Sequence, residues 1–252
     1  MKKIFPLLLF IMIVSIDARA ATRSDVVVLE STDRIQYRAQ EAAQNYLLYY
    51  LYPQKPSYQE RADQNIRQLN DDIKIIETNT KNQKTKGILS FFATQGVEVL
   101  SILDMKPDQD ATETLLETSE IFAEGARSIA KQHSYSFSDE EKMFSLTREM
   151  RVLLGEIVKY YTALKINPRD KSYFLKFQKA QLRFEHHWSI VKRYQYSEAK
   201  ERKEKEILER AWGMMQYYLG KKNPIVPALL TMVSEDMGSQ LERLGTYHSR
   251  NQ

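Results

Sequence analysis

The 252-residue chain has no cysteine, so neither a disulfide framework nor a catalytic thiol is open to it. Eight glycines and seven prolines are too few for a turn-punctuated β protein or a collagen-like one. Strand-type alternation is nearly missing. The one β-branched run, residues 26–29, reads as part of a flexible lead-in. Of four histidines, His186 and His187 are neighbours, which a helix points about 100° apart, so they cannot form the i, i+4 pair of a zinc helix. His133 and His248 have no ligand pattern around them. There is no GxGxxG, phosphate loop or nucleophile elbow, and no carboxylate pair at acid/base spacing. The expectation is a protein without metal or cofactor that is not an enzyme. Charge of one sign is also lacking. The net +4 falls to +2 once Lys2, Lys3, Asp17 and Arg19 are set aside, which gives no electrostatic case for nucleic acid or an anionic membrane. Beyond the first twenty residues the best apolar run is 225–233, far short of the roughly 20 residues a membrane span needs.

Those first twenty residues have a layout of their own. Lys2 and Lys3 precede an apolar stretch over 4–16, and Ala18-Arg19-Ala20 follows as a small-x-small site. This is the three-part pattern of a secretory signal peptide. Cleavage after Ala20 would leave a soluble periplasmic chain; retention as an anchor is the alternative.

What fills the rest is helix. Apolar residues recur at three and four, and start signals are frequent. Ser57-x-x-Glu60 and Ser138-x-x-Glu141 read as capping boxes, and Asp110-x-x-Glu113 as a weaker relative. Asn167-Pro168 and Asn223-Pro224 put a cap before a first-turn proline. Eight helices are expected, near 30–52, 56–80, 86–105, 110–133, 138–166, 168–195, 197–220 and 224–247. A shift of 115 lays the second four on the first: Tyr46 falls on Tyr161, Pro53 on Pro168, Tyr58 on Tyr173 and Glu120 on Glu235. The core phase follows. Leu115, Thr118, Phe122, Ala126 and Ile129 fall on Leu230, Val233, Met237, Leu241 and Leu244, one bundle-facing stripe in each set. Leu69, Ile73 and Ile76 fall on Phe184, Trp188 and Val191, and Val97 takes the place of Trp212. The expected architecture is all-α: two tandem four-helix bundles, 21–135 and 136–252, related by an internal repeat.

Residues 148–161, REMRVLLGEIVKYY, carry the features that ask for a function. Gly155 sits mid-helix, where glycine costs about 1 kcal/mol relative to alanine. It admits another backbone or a ligand. Arg148 and Arg151 lie a turn apart, and Arg151 has no carboxylate three or four residues away. They are either solvated surface charges or an anion site made by side chains, since the helix start is too distant for its dipole to act. Guanidinium groups suit carboxylate or nitrate-like oxygens. Fifteen tyrosines, clustered at helix ends, could rim a pocket or a core.

The same stretch resembles the first helix of the PilJ-type domain, the ligand-sensing N-terminal domain of type IV pilus chemotaxis transducers, related to NarX-type nitrate sensor domains. The family's second pattern arginine meets Arg151, its leucine Leu153, its lysine Lys159 and its tyrosine Tyr161; Arg148 stands where the pattern has glycine. FQKAQLRFEHHWSIV and ILERAWGMMQYYL are similar to its second and third helices. The first half keeps Arg34, Gln40, Tyr46 and Leu47, with Gln36 in place of the second arginine. The resemblance implies chemotaxis-like sensing of a small, possibly anionic ligand, with Arg151 as the ligand arginine and Arg148, Lys159 and Tyr161 near it. A protein partner or a homodimer would receive the signal. The alternative is an adaptor in an envelope complex with no small ligand.

Overall fold

The computed structural model describes residues 22–105, 107–221 and 226–252, which form eight α-helices and no strand. They are α1 Arg23–Leu51, α2 Ser57–Asn79, α3 Gln83–Leu103, α4 Gln109–Gln132, α5 Asp139–Ile166, α6 Lys171–Arg193, α7 Ala199–Leu219 and α8 Val226–Arg250.

Helix starts show which local signals win. Ser138 and Glu141 form the expected capping box. α1 begins at Arg23, not near 30, because Thr22 and Asp25 form a second box that the sequence reading passed over. The β-branched run at 26–29 is therefore helical. Its poor propensity is outweighed by burial, with Val28 fully inside the core. Ser57 is already the first residue of α2, and Pro56 before it offers no side-chain cap. Asn167 ends α5 instead of starting α6. Asp170 caps α6 by accepting from the Ser172 and Tyr173 amides at 2.7 and 3.0 Å. Asp108, not Asp110, caps α4. The Asn223-Pro224 signal lies outside the described residues.

Two large hydrophobic cores result, with a small third cluster of Leu47, Leu116 and Ala163 bridging α1, α4 and α5. One is drawn wholly from α1–α4 and includes Val28, Ile35, Ile73, Phe92, Phe122 and Ile129. The other is drawn wholly from α5–α8 and includes Leu153, Phe184, Trp188, Trp212, Met237 and Leu244. Both α4 and α8 turn their apolar stripes inward as expected. Val97, by contrast, is 71% exposed while Trp212 is buried against Phe184, with ring centroids 4.3 Å apart. The reason is spacing between helices. At Gly96, α2 and α3 lie so close that an added Cβ would sit 2.5 Å from Asn70 Oδ1, leaving no room for a large inward side chain. α6 and α7 meet instead through aromatic rings. By length and composition α3 could cross a membrane, although the sequence reading found no such segment; Leu89, Phe92, Val99 and Leu103 on it belong to the core.

A histidine closes each set of helices. His133, ending α4, places Nδ1 2.9 Å from Asp25 on α1 and Nε2 3.3 Å from the Thr80 and Thr85 hydroxyls. His248 on α8 places Nδ1 2.5 Å from Glu140 on α5 and Nε2 3.1 Å from the Tyr196 hydroxyl. The carboxylates fix Nδ1–H as the donor in both.

The two sets meet along α1 and α5. These helices are buried on every side, over 39–48 and 152–163 without a break. Such all-round burial marks a central helix. They cross at Gly155, where a Cβ would lie 3.0 Å from the Cβ of Gln40. The mid-helix glycine thus serves a close helix crossing. Buried polar groups lie in the seam beside the Leu47, Leu116 and Ala163 cluster. Gln44 donates to Thr231 at 3.1 Å, and Lys159, fully buried, donates to Ser119 at 3.1 Å and pairs with Glu120.

The crossing sets an expectation. Gly155→Ala improves helix propensity by about 1 kcal/mol, yet Gln40 Cβ is fixed to its backbone and cannot move aside alone. Overpacking typically costs about 1–3 kcal/mol, so the variant should unfold at lower denaturant than wild type in a urea titration. A rise in midpoint would mean that the seam has slack.

Candidate functional site

Immediately N-terminal to the crossing, α1, α2, α5 and α8 enclose a cleft of about 390 Å³. α1 contributes Asp33, Arg34, Tyr37 and Arg38, which lie on one face because their spacing is that of one helical turn. α2 adds Asn65 and Gln68, α5 adds Arg148 and Arg151, and α8 adds Glu242. Four guanidinium groups therefore share one opening.

Each is held by protein groups. Asp72, buried at the base of α2, pairs with both Arg34 and Arg38; Arg34 Nε donates to it at 2.7 Å. Arg38 also donates to the Gln68 carbonyl at 2.6 Å. Arg148 spans Glu30 and Asp33, at 3.2 Å each, and stacks on Phe144 with its guanidinium carbon 3.9 Å from the ring centroid. Arg151 lies over Tyr37 at 4.6 Å, and its one ion pair is a 3.5 Å contact with Glu242, a side chain that is 64% exposed. Its Nε is buried without a hydrogen-bond partner. Of the four, Arg151 is the least satisfied.

The carboxylates around it are easily neutralised. Burial pushes Asp33 up to about 6, against the pull of Arg148. Glu41, one residue from Gln40 on α1, is pushed up to about 7 by burial and by the charge of Glu235, against Arg151 and Arg61. Burial likewise raises Tyr37 to about 12, so it stays a neutral phenol.

Of the four residues singled out in the sequence, the structure brings Arg148 and Arg151 together in this cleft. Lys159 and Tyr161 are elsewhere. Lys159 is sealed in the seam, where, despite burial, its charge and hydrogen bond hold Glu120 down to about 2. Tyr161 donates to the Lys221 carbonyl at 2.7 Å on the far side of the second core. Arg38 and Tyr37 were missed. The Arg34, Tyr37, Arg38 triplet, two cations and an aromatic at helical spacing, was the available signal. Arg151 sits at a seam within one chain, so no second copy is needed to give it neighbours. The tyrosines divide: Tyr46 and Tyr160 are core, while Tyr217 is exposed.

No family model, curated protein or solved structure matches this chain.

Glu41 supplies a test of the electrostatics. Its carboxyl titrates near 7 when folded, against an ordinary 4.5. The native state therefore holds this proton more tightly than the unfolded chain does. Stability from that proton is present below about pH 4.5 and is lost as pH rises toward 7. Glu41→Gln should thus stabilise the protein by about 2 kcal/mol at pH 8 and by little at pH 4. Thermal melts at the two pH values check it, and equal effects at both would contradict the assignment.

Proposed function

We propose that this is an exported, all-helical protein built by duplication of one four-helix unit, residues 21–135 and 136–252, behind a signal peptide ending at Ala20. What supports the duplication is the repeated chemistry as well as the two cores. The Asp25–His133 and Glu140–His248 pairs span the same 108-residue separation, and each partner of one falls on a partner of the other under the 115-residue shift. Arg34–Asp72 falls likewise on Glu149–His187, with the charges exchanged. Gln40 falls on Gly155, its own contact at the crossing, and Asp33 falls on Arg148, its own hydrogen-bond partner 115 residues away. Residues that meet their own equivalents lie on the twofold axis that relates two copies.

In this reading the cleft beside that axis binds a small oxyanion or carboxylate, as in the sensing domains that the Arg151 helix resembles. The observation that carries it is the convergence of four guanidinium groups on one opening, where the single ion pair of Arg151 is a 3.5 Å contact with a mostly exposed carboxylate, Glu242. A planar guanidinium whose outer nitrogens are held only by a loosely placed carboxylate exchanges it for the oxygens of a small anion. Because the cleft spans both halves, an anion held between α1 and α5 stabilises one packing of these helices over others. Small shifts of packed helices are a known output mode, and a protein partner would read them.

Binding to the native state raises its stability. Millimolar acetate or nitrate should raise the melting temperature. Arg151→Gln should abolish that rise, and Arg151→Lys, which keeps the charge but not the planar fork, should reduce it. Affinity should increase as pH falls from 7 to 5.5, since protonation of Asp33 frees Arg148. A thermal-shift series that is flat for every small anion would sink the proposal.

One observation favours an adaptor role instead. Leu175 and Leu182 on α6 are 63% and 68% exposed and, seven residues apart, lie along one face. If a protein docks there, Leu182→Arg should remove in-cell crosslinks without lowering the melting temperature. Unchanged crosslinking would discard that reading.

A further inference from the structure

A second cavity, of about 400 Å³, adjoins the arginine cleft and shares two of its walls, Asp33 and Arg148. Its character is different. Val26 and Leu29 of α1, Phe144 of α5, and Tyr135 and Phe137 of the segment between α4 and α5 give it a mainly apolar lining. Tyr135 and Phe137 pack edge to face with ring centroids 4.6 Å apart. Tyr135 is held in place because its hydroxyl donates to Glu141 at 2.7 Å and Glu141 is itself fixed by the capping box of α5. Arg148 is the partition. Its stacking on Phe144 and its bonds to Glu30 and Asp33 hold the guanidinium between the two spaces.

We propose that the two cavities form one bipartite site for a small monocarboxylate with an aryl or short alkyl body. This rests on the reading of the arginine cleft as an anion site. The carboxylate takes the place of the loosely held Glu242 at the outer nitrogens of Arg151, with Arg148 beside it. The body passes the partition and fills the aromatic-lined space. Each cavity falls in the size range of small-molecule sites, and an apolar chamber with a few convergent polar groups is the usual form of one. The rim of the apolar chamber also sets a limit. Glu30, Asp33 and Glu141 line it against Lys131 and an Arg148 already bound to Glu30 and Asp33, so a second negative charge on the body would face a net acidic rim. Dicarboxylates of the same shape are therefore disfavoured.

Calorimetric titration of the protein with acetate, benzoate, phthalate and benzyl alcohol tests the proposal. Benzoate should bind about tenfold more tightly than acetate, from apolar area removed from water, and phthalate more weakly than benzoate. Phe137→Ala, in a half-buried loop position, should bring benzoate down to the acetate level while leaving acetate unchanged. Ser145→Trp, which fills the same chamber from α5, should do the same. Arg151→Gln should weaken both ligands. If acetate binds and benzoate binds no better, the bipartite site is overturned and the arginine cleft stands. Benzyl alcohol binding as tightly as benzoate would make the chamber a separate site and would also overturn it. If neither acid binds, the cleft reading fails and this proposal with it.

Discussion

The close contact of α1 and α5 at Gln40 and Gly155 is the constraint on which the rest of the molecule depends. A glycine lets two buried helices approach to 3.0 Å between Gln40 Cβ and the position a Cβ would take at Gly155. That approach brings the two cores together and fixes the rotation of both helices. Rotation decides what lies a turn or two before the crossing. On α1 it is Tyr37 and Arg34; on α5 it is Arg151 and Arg148. The cleft is thus a consequence of the crossing, and its arginines are placed by helices that are themselves buried all round.

The seam mixes buried polar groups with an apolar cluster of Leu47, Leu116 and Ala163. Lys159 reaches from α5 to α4, and Gln44 from α1 to α8. Both side-chain amide atoms of Gln40 are buried without partners. A buried ion pair is a weak source of stability, because desolvation offsets much of the attraction, but it discriminates strongly among registers. Sliding α4 along α5 by one turn would separate Lys159 from Glu120 and leave a charge unpaired. The same feature that makes the seam specific makes it sensitive. Several of its carboxyls, Glu41, Glu156 and Asp33, are raised by burial, so the interface is more sensitive to protonation than an aliphatic one would be.

Helix content and number were legible in the sequence because apolar period and caps act locally. The α4 and α8 stripes, buried as expected, show how well phase survives into packing. Boundaries failed where two local signals competed. Asp170 took the cap that Asn167-Pro168 advertised, and Thr22 with Asp25 drew a valine-rich run into α1. Val97 was misplaced because its surroundings depend on how close α2 and α3 come, which is set by Gly96 against Asn70, a contact between helices. For the site, Arg148 and Arg151 could be singled out by their lack of local partners. Their actual partners, Glu30, Asp33 and Glu242, are on other helices and carried no signal at the sequence level. Lys159 was grouped with them by pattern alone; three-dimensional packing sends it to the opposite side of the crossing.

If the crossing binds the two cores into one unit, they must unfold together. The chain's two tryptophans, Trp188 and Trp212, both lie in the α5–α8 core, so their fluorescence follows that core while helical circular dichroism follows the whole chain. A urea titration monitored by both should give one coincident transition with a single midpoint. Two transitions, with fluorescence separated from helicity, would contradict the account by showing that the cores stand independently and the seam holds nothing in place.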